Sequence, residues 1–132
     1  MLSLSITGFD ADPNRVTDIL GLQPTSVVRE GQIATSGRPS KFNGWWFETN
    51  ADRLVSGREH ADALATILNA IRGRAAAFAR LREELQPEAV SLYGGLYHRG
   101  DSQSGIWLDA ADMLLLGECG IGWGLDLFGD KA

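Results

Sequence analysis

The sequence predicts an α+β fold, with a largely antiparallel sheet of four or five strands and helices packed mainly on one face. Its strand-like segments alternate apolar and polar residues, as in Leu2-Ser3-Leu4-Ser5-Ile6-Thr7. Strands buried on both faces of a doubly wound parallel sheet would instead run continuously apolar. Between these segments lie stretches with apolar residues at steps of three and four, the period of an amphipathic helix. A ferredoxin-like arrangement, built as two related halves around one sheet, is the specific expectation.

The elements follow in order along the chain. Leu2, Leu4 and Ile6 form the buried side of a first strand. Asp12 is a suitable helix N-cap and Pro13 suits the first helical position, where its missing N–H costs nothing. Val16, Ile19 and Leu20 then share one face, and Gly21 stands where a left-handed residue closes a helix. Ser26 to Arg29 reads as a short strand, and Ala34 to Asn43, with Gly37, Pro39 and two serines, as a polar loop. Trp45-Trp46-Phe47-Glu48-Thr49 is rich in residues that suit a pleated surface, so one Trp should face the core and its neighbour the other side.

From about Gly57 to Leu85, the residues Leu64, Leu68, Ile71, Ala75, Phe78, Leu81 and Leu85 form one apolar stripe. Gly73 interrupts it and predicts a break into two helices, while Pro87 stops the second. Ala89 to Tyr97 is a further strand, followed by a polar loop over Gly100–Gly105. Asp109 caps a short helix that should end at Gly117, and Ile121 to Phe128 is the final strand, weakened by Gly122 and Gly124. The pairs Leu20-Gly21 and Leu116-Gly117, each ending a short capped helix, are the basis for expecting two related halves.

Composition narrows the class. A chain of 132 residues suits one domain and can bury a proper core without staples. Hydrophobic residues at 44% and charged residues at 22% are ordinary globular usage, so disorder is not the default. Cys119 is the sole cysteine, which rules out an intrachain disulfide and fits a reducing compartment. Nothing near Met1 reads as a secretory signal, and no apolar run reaches the roughly 18 residues that span a bilayer, so a cytoplasmic protein without a membrane role is expected. The net charge of −5 opposes nucleic-acid binding, which draws its affinity from Lys and Arg on phosphates. Arg72, Arg74, Arg80 and Arg82 read as solvated helix faces.

With these segments in place, the chain resembles a bacterial domain-of-unknown-function family (number four-two-seven-nine). The likeness spans nearly the whole length. It lies in the opening strand and Asp12-Pro13 helix, in Gly21-Leu22-Gln23-Pro24-Thr25, in Glu30-Gly31, in the Trp45-Trp46 strand, and in the closing Leu125-Asp126-Leu127-Phe128. Phe128 stands where such proteins usually carry Tyr, and Glu30 where a basic residue is expected. The resemblance implies a compact α+β domain with an immunity-type or other binding role, and it carries no established catalytic residues.

Cys119 with His60 or His98 and Asp126 supplies the residue types of a nucleophilic site, but no catalytic signature surrounds the thiol, and an inert packed cysteine is expected. His60 and Asp62 point to different helix faces, and His98 with Asp101 has no metal-ligand spacing, so neither a metal nor a cofactor is expected. Gly120-Ile121-Gly122-Trp123-Gly124 imitates a dinucleotide loop but leads from a helix into a strand, the reverse of the required order.

Asp126, between Leu125 and Leu127, is expected to face solvent or to hydrogen-bond a neighbouring loop; partly buried, it would need a cationic partner. A pocket between it and the Gly31–Asn43 loop, with Arg29, Arg38 or Lys41 as the cation, would suit a small enzyme or ligand-binding domain. The aromatic residues on strands give the other handle, because alternation should expose some of them on any helix-free face. The leading expectation is therefore a non-enzymatic binding protein, an immunity or regulatory protein that holds a protein partner, or a homodimer. Its binding residues would come from Arg29, Arg38, Lys41, Trp45, Trp46, Tyr97 and Asp126.

Overall fold

The computed structural model describes residues 1–49, 57–98 and 105–129. The expected polar loop at 100–105 falls outside these residues except for Gly105, as does Asp101. The chain runs β1 (Leu2–Phe9), α1 (Asn14–Leu20), β2 (Ser26–Val28), β3 (Asn43–Glu48), α2 (Gly57–Ile71), α3 (Ala75–Leu85), β4 (Ala89–His98), α4 (Ala110–Cys119) and β5 (Gly122–Gly129).

β1 is the spine because its alternation is the cleanest in the chain. Leu2, Leu4 and Ile6 are fully buried, while Ser3, Ser5 and Thr7 lie on the opposite face. It is flanked on both sides by antiparallel neighbours, so Ile6 sits between Trp45 of β3 and Val90 of β4. Gly8 lies where the β1–β3 register shifts, at φ 77°, and a Cβ there would come within 2.7 Å of Glu88 Cβ. Only glycine meets both demands.

The five strands stand in the order β2-β3-β1-β4-β5. The β2–β3, β1–β3 and β1–β4 pairs are antiparallel, and β4–β5 is parallel, with α4 as its crossover. The sheet is therefore mixed, and the ferredoxin-like expectation is not confirmed by this order. Nor do the two ends match as halves. β1 and α1 lead into antiparallel partners, whereas β4 and α4 lead into a parallel one. Gly117, expected to end the last helix, lies inside α4, which closes instead at Gly120 with φ 67°.

All four helices contribute to a single buried cluster. Val16, Ile19 and Leu20 of α1, Leu64, Ile67, Leu68 and Ile71 of α2, Phe78 and Leu81 of α3, and Leu116 and Cys119 of α4 join Leu2, Leu4, Ile6, Trp45, Leu92 and Leu96 of the sheet. The helices thus cover one sheet face, as the alternation required. Gly73, at φ 77°, makes the expected break between α2 and α3. Gly21 closes α1 in the left-handed conformation, and Asp12 Oδ1 accepts from the Asn14 backbone N–H at 2.9 Å. At α4, Asp109 and Asp112 form a reciprocal capping box.

Two arginines expected on solvated faces are structural. Arg74 Nε donates to Ala70 O at 2.8 Å and its Nη1 to Leu20 O at 2.7 Å, so one guanidinium serves the C-terminal carbonyls of α2 and α1 together. Arg82 Nη1 donates likewise to Cys119 O at the end of α4. Helix C-termini present unpaired carbonyls with a partial negative charge, and a partly buried cation satisfies both demands.

The Gly31–Asn43 segment is more ordered than a polar loop. Gly31 N donates to Ser40 O, Ser40 N to Gln32 O, and Ala34 N to Arg38 O, extending the β2–β3 hairpin outward. Gly37 at φ 79°, with its N–H bonded to Ala34 O, turns the tip. Glycine in the left-handed region is what such a three-residue hairpin loop requires.

Candidate functional site

The face of the sheet turned away from the helices carries Trp46, Tyr93, Tyr97 and Phe128, while Trp123 shares the helix side of β5 with Leu125 and Leu127. Register places Ser26, Trp46, Ser5, Ser91 and Gly122 in one row across the strands, and Glu48, Ser3, Tyr93 and Gly124 in the next. Gly95 and Asp126 pair beyond them, and then Tyr97 and Phe128. Small hydroxyl residues therefore occupy the middle of the face. Trp46 stands on one side of them, and Tyr93, Tyr97 and Phe128 on the other.

Glycines shape this surface. A Cβ on Gly44 would collide with the six-membered ring of Trp46, which folds back over that backbone. Phe128 lies over Gly95 in the same way, with Cε2 2.9 Å from where a Cβ would be, and stacks on Tyr97 with ring centroids 4.9 Å apart. Aromatic rings covering strand glycines restore packing that glycine cannot supply. The Tyr93 hydroxyl donates to Asp126 Oδ2, and accepting it holds the Tyr93 phenol above its usual pKa. Tyr93 and Phe128 remain 48% and 43% exposed, so the stacking leaves aromatic area open to a partner.

The residues expected to bind do not gather in one place. Trp46, Tyr97 and Asp126 lie on the open face. Trp45 does not: it is fully buried, with Nε1 donating to Thr17 Oγ1 at 3.1 Å, and it belongs to the core. Since neighbours on a strand face opposite ways, only one of the two tryptophans could be a surface residue. Arg29 pairs with Asp12, Nε to Oδ2 at 2.9 Å and Nη2 to Oδ1 at 3.2 Å, which holds the Asp12 carboxyl below its usual pKa. Arg38 and Lys41 are exposed on the β2–β3 hairpin.

The expected pocket between the Gly31–Asn43 segment and Asp126 does not form. That segment extends from the β2–β3 edge, whereas β5 is the other edge, with β1 and β4 in between. At about 4.8 Å per strand, β3 and β5 are roughly 14 Å apart before either side chain is counted.

The candidate built on Cys119, His60 and Asp126 fails on geometry as well, and the side chain of His98, the other expected base, lies outside the described residues. Cys119 is fully buried on the helix side of the sheet, and burial pushes its thiol up. Asp126 projects from the opposite face, and His60 Nδ1 lies 2.9 Å from Gly105 O. A nucleophile needs its base within hydrogen-bond reach, and these three groups do not converge. Among the described residues no cluster of His, Cys, Asp or Glu could hold a metal ion, and no helix is long and apolar enough to cross a membrane.

Sequence reasoning missed Phe128 as a member of the face, and it left Tyr93 out of the expected binding residues although it set Tyr93 on the same side of its strand as Tyr97. The signal was available in the parity of each strand: Asp126 and Phe128 share a side of β5, and Tyr93 and Tyr97 share a side of β4. A second surface feature, a shallow cleft of about 220 Å³, lies between α2 and the start of α4, lined by Leu64, Leu68, Arg72, Trp107 and Asp112. Trp107 is 83% exposed beside it. No curated protein and no solved structure matches the chain. The family model described as Domain of unknown function (DUF4279) matches residues 1–129, and the chain belongs to that family.

Proposed function

We propose that this chain is a non-enzymatic binding protein of the cytoplasm that holds a basic segment of a protein partner on the open face of its sheet, in an immunity or regulatory role. The observation that supports this reading most directly is the helix-free face itself, with Trp46, Tyr93, Tyr97 and Phe128 arranged around small hydroxyl residues. Tyrosine and tryptophan are the residues most enriched among binding hot spots, and each offers apolar area with a polar tip. The charge of the face selects the partner. Asp126 and Glu48 lie on it, Arg29 is committed to Asp12, and the chain carries a net charge of −5. Opposite charge on the partner speeds encounter and disfavours wrong partners.

The test compares wild type with a Tyr97→Ala/Phe128→Ala double variant, first checked for native circular dichroism. Proteins captured from lysate by immobilised wild type are identified and produced pure, and their affinities are then measured at two salt concentrations. The reading predicts a partner with a basic surface, weakened about 100-fold by the double substitution and bound less tightly at high salt. A partner that binds both forms equally, or a wild type that captures none, refutes it.

A further inference from the structure

The two edges of the sheet differ in a way that binding on the open face does not explain. β2 is short, running only from Ser26 to Val28, and continues into a hairpin carrying Arg29, Arg38 and Lys41. Short edge strands and nearby cations are usual protections against unwanted strand pairing. β5 is less protected: it runs for eight residues, pairs among the described residues with β4 alone, and contains no Pro, Lys or Arg, the one cation near it in sequence being Lys131 past its end. Leu127 is 73% exposed on the side of this strand that faces the helix layer, beyond the reach of any described helix.

We infer that β5 pairs antiparallel with β5 of a second copy of this chain, in a register centred on Leu125, to form a continuous ten-stranded sheet. The sequence of the strand is complementary to itself in that register. Leu125 opposes Leu125 of the partner, and Leu127 opposes Trp123, bringing together side chains that are 73% and 38% exposed in the single chain. On the open face Asp126 opposes Gly124 and Phe128 opposes Gly122, so each large or charged residue meets a glycine. Gly122 has room, since the nearest atom to an added Cβ is Val90 O at 3.7 Å.

Neighbouring registers are worse. Centring the pair on Asp126 would set two carboxylates directly opposite each other, which is destabilising. Centring it on Gly124 would place Phe128 opposite Gly120, which lies outside the strand at the left-handed end of α4. The two-fold axis is perpendicular to the sheet, so both helix layers fall on one side and both aromatic faces on the other. A dimer built this way presents two binding faces side by side. A single strand edge is a small contact beside the roughly 1,200–2,000 Å² of a standard interface, so a weak dimer is expected, with a dissociation constant on the order of 10–100 μM.

The test is sedimentation velocity on the full chain from about 1 to 300 μM, with three variants. Wild type should pass from monomer to dimer over that range. Leu127→Glu places a carboxylate against Trp123 of the partner and should weaken the dimer at least about tenfold while leaving the fold unchanged, since the side chain is exposed. Under mild oxidation Leu125→Cys should cross-link to itself, because directly opposed residues have Cα atoms about 4.5–5.5 Å apart, within disulfide range. Leu127→Cys should not, since its two copies would stand four residues out of register, about 13 Å apart. Native Cys119 is buried and does not compete. A wild type that stays monomeric at 300 μM overturns the inference, as does a dimer indifferent to Leu127→Glu. Cross-linking at position 127 instead of 125 overturns the register.

Discussion

Trp45 and Trp46 are chemically identical neighbours, and the fold assigns them opposite fates. Replacing each by alanine measures that difference. Trp45 has no exposed surface, lies against Ile6 and Val27 across the sheet, and ties β3 to α1 through the bond from its Nε1 to Thr17. Truncating a buried Trp to Ala costs about 3–5 kcal/mol, from lost transfer free energy and the cavity left behind. An unfolding entropy of about 2.1 cal/mol/K per residue over 132 residues gives roughly 0.28 kcal/mol/K, so Tm should fall by roughly 11–18 °C. Trp46 lies half-buried over Gly44 on the open face, and its removal uncovers backbone without opening a cavity. A cost of about 1 kcal/mol and a fall of roughly 4 °C are expected there. Thermal unfolding followed by far-ultraviolet circular dichroism avoids dependence on tryptophan fluorescence. Equal losses for the two variants, or a larger loss for Trp46→Ala, would refute the assignment of the helix-covered face and with it the location of the open face.

Other consequences are equally specific. Arg74→Met keeps the apolar stem but strands the carbonyls of Leu20 and Ala70, so urea unfolding should show a loss of about 2 kcal/mol that Arg74→Lys does not recover, because a single ammonium cannot reproduce the fork. The Asp12 carboxyl is held below its usual pKa by Arg29, so the stabilisation from this pair is present above about pH 4 and is lost as pH falls through the depressed folded value. Carboxyl-detected NMR should therefore show a low Asp12 midpoint that moves up in Arg29→Gln but stays depressed by the Asn14 backbone N–H. Cys119 is buried with its thiol pushed up, so aromatic disulfide reagents at neutral pH should leave it unmodified in the native chain and react with one thiol per chain in denaturant.

The parts of the fold legible in the sequence were those decided by local chemistry. Alternation in β1, the left-handed stops at Gly21 and Gly73, and the Asp109 cap all follow from interactions within a few residues, and they stand as read. The misreadings share a different cause. Gly117 resembles a helix stop, but α4 runs past it because Leu116 and Cys119 are held in the core and Arg82 waits at the true end. Burial outweighs the roughly 1 kcal/mol that an internal glycine costs. Arg74 and Arg82 looked like solvated charges because each has an acceptor far along the chain, Leu20 O at 54 residues and Cys119 O at 37. The parallel β4–β5 pair was missed because β5 contains glycines and an aspartate instead of the apolar run typical of buried parallel strands. At an edge with one face open, that rule loses its force.

Strand parity carries the argument from sequence to candidate site. Alternation says that Asp126 and Phe128 share a face, and that Trp45 and Trp46 do not, but it cannot say which face the helices cover. A single long-range fact resolves every strand at once. Once Leu2, Leu4 and Ile6 are placed beneath α2, the register fixes the direction of Trp45, then of Tyr93 and Tyr97, and finally of Asp126. The same chain of register explains why the cations on the β2–β3 hairpin and the carboxylate of Asp126 never meet. Arg29, Arg38 and Lys41, on and beside the Gly31–Asn43 segment, were the cations expected to reach Asp126. The sheet instead gives Asp126 a phenol from the adjacent strand and leaves its carboxylate on an exposed face. A carboxylate that accepts one hydrogen bond from a tyrosine has remaining acceptor sites directed at solvent. Such a group among aromatic rings can anchor a cation from outside the chain, since the aromatic faces themselves also attract one.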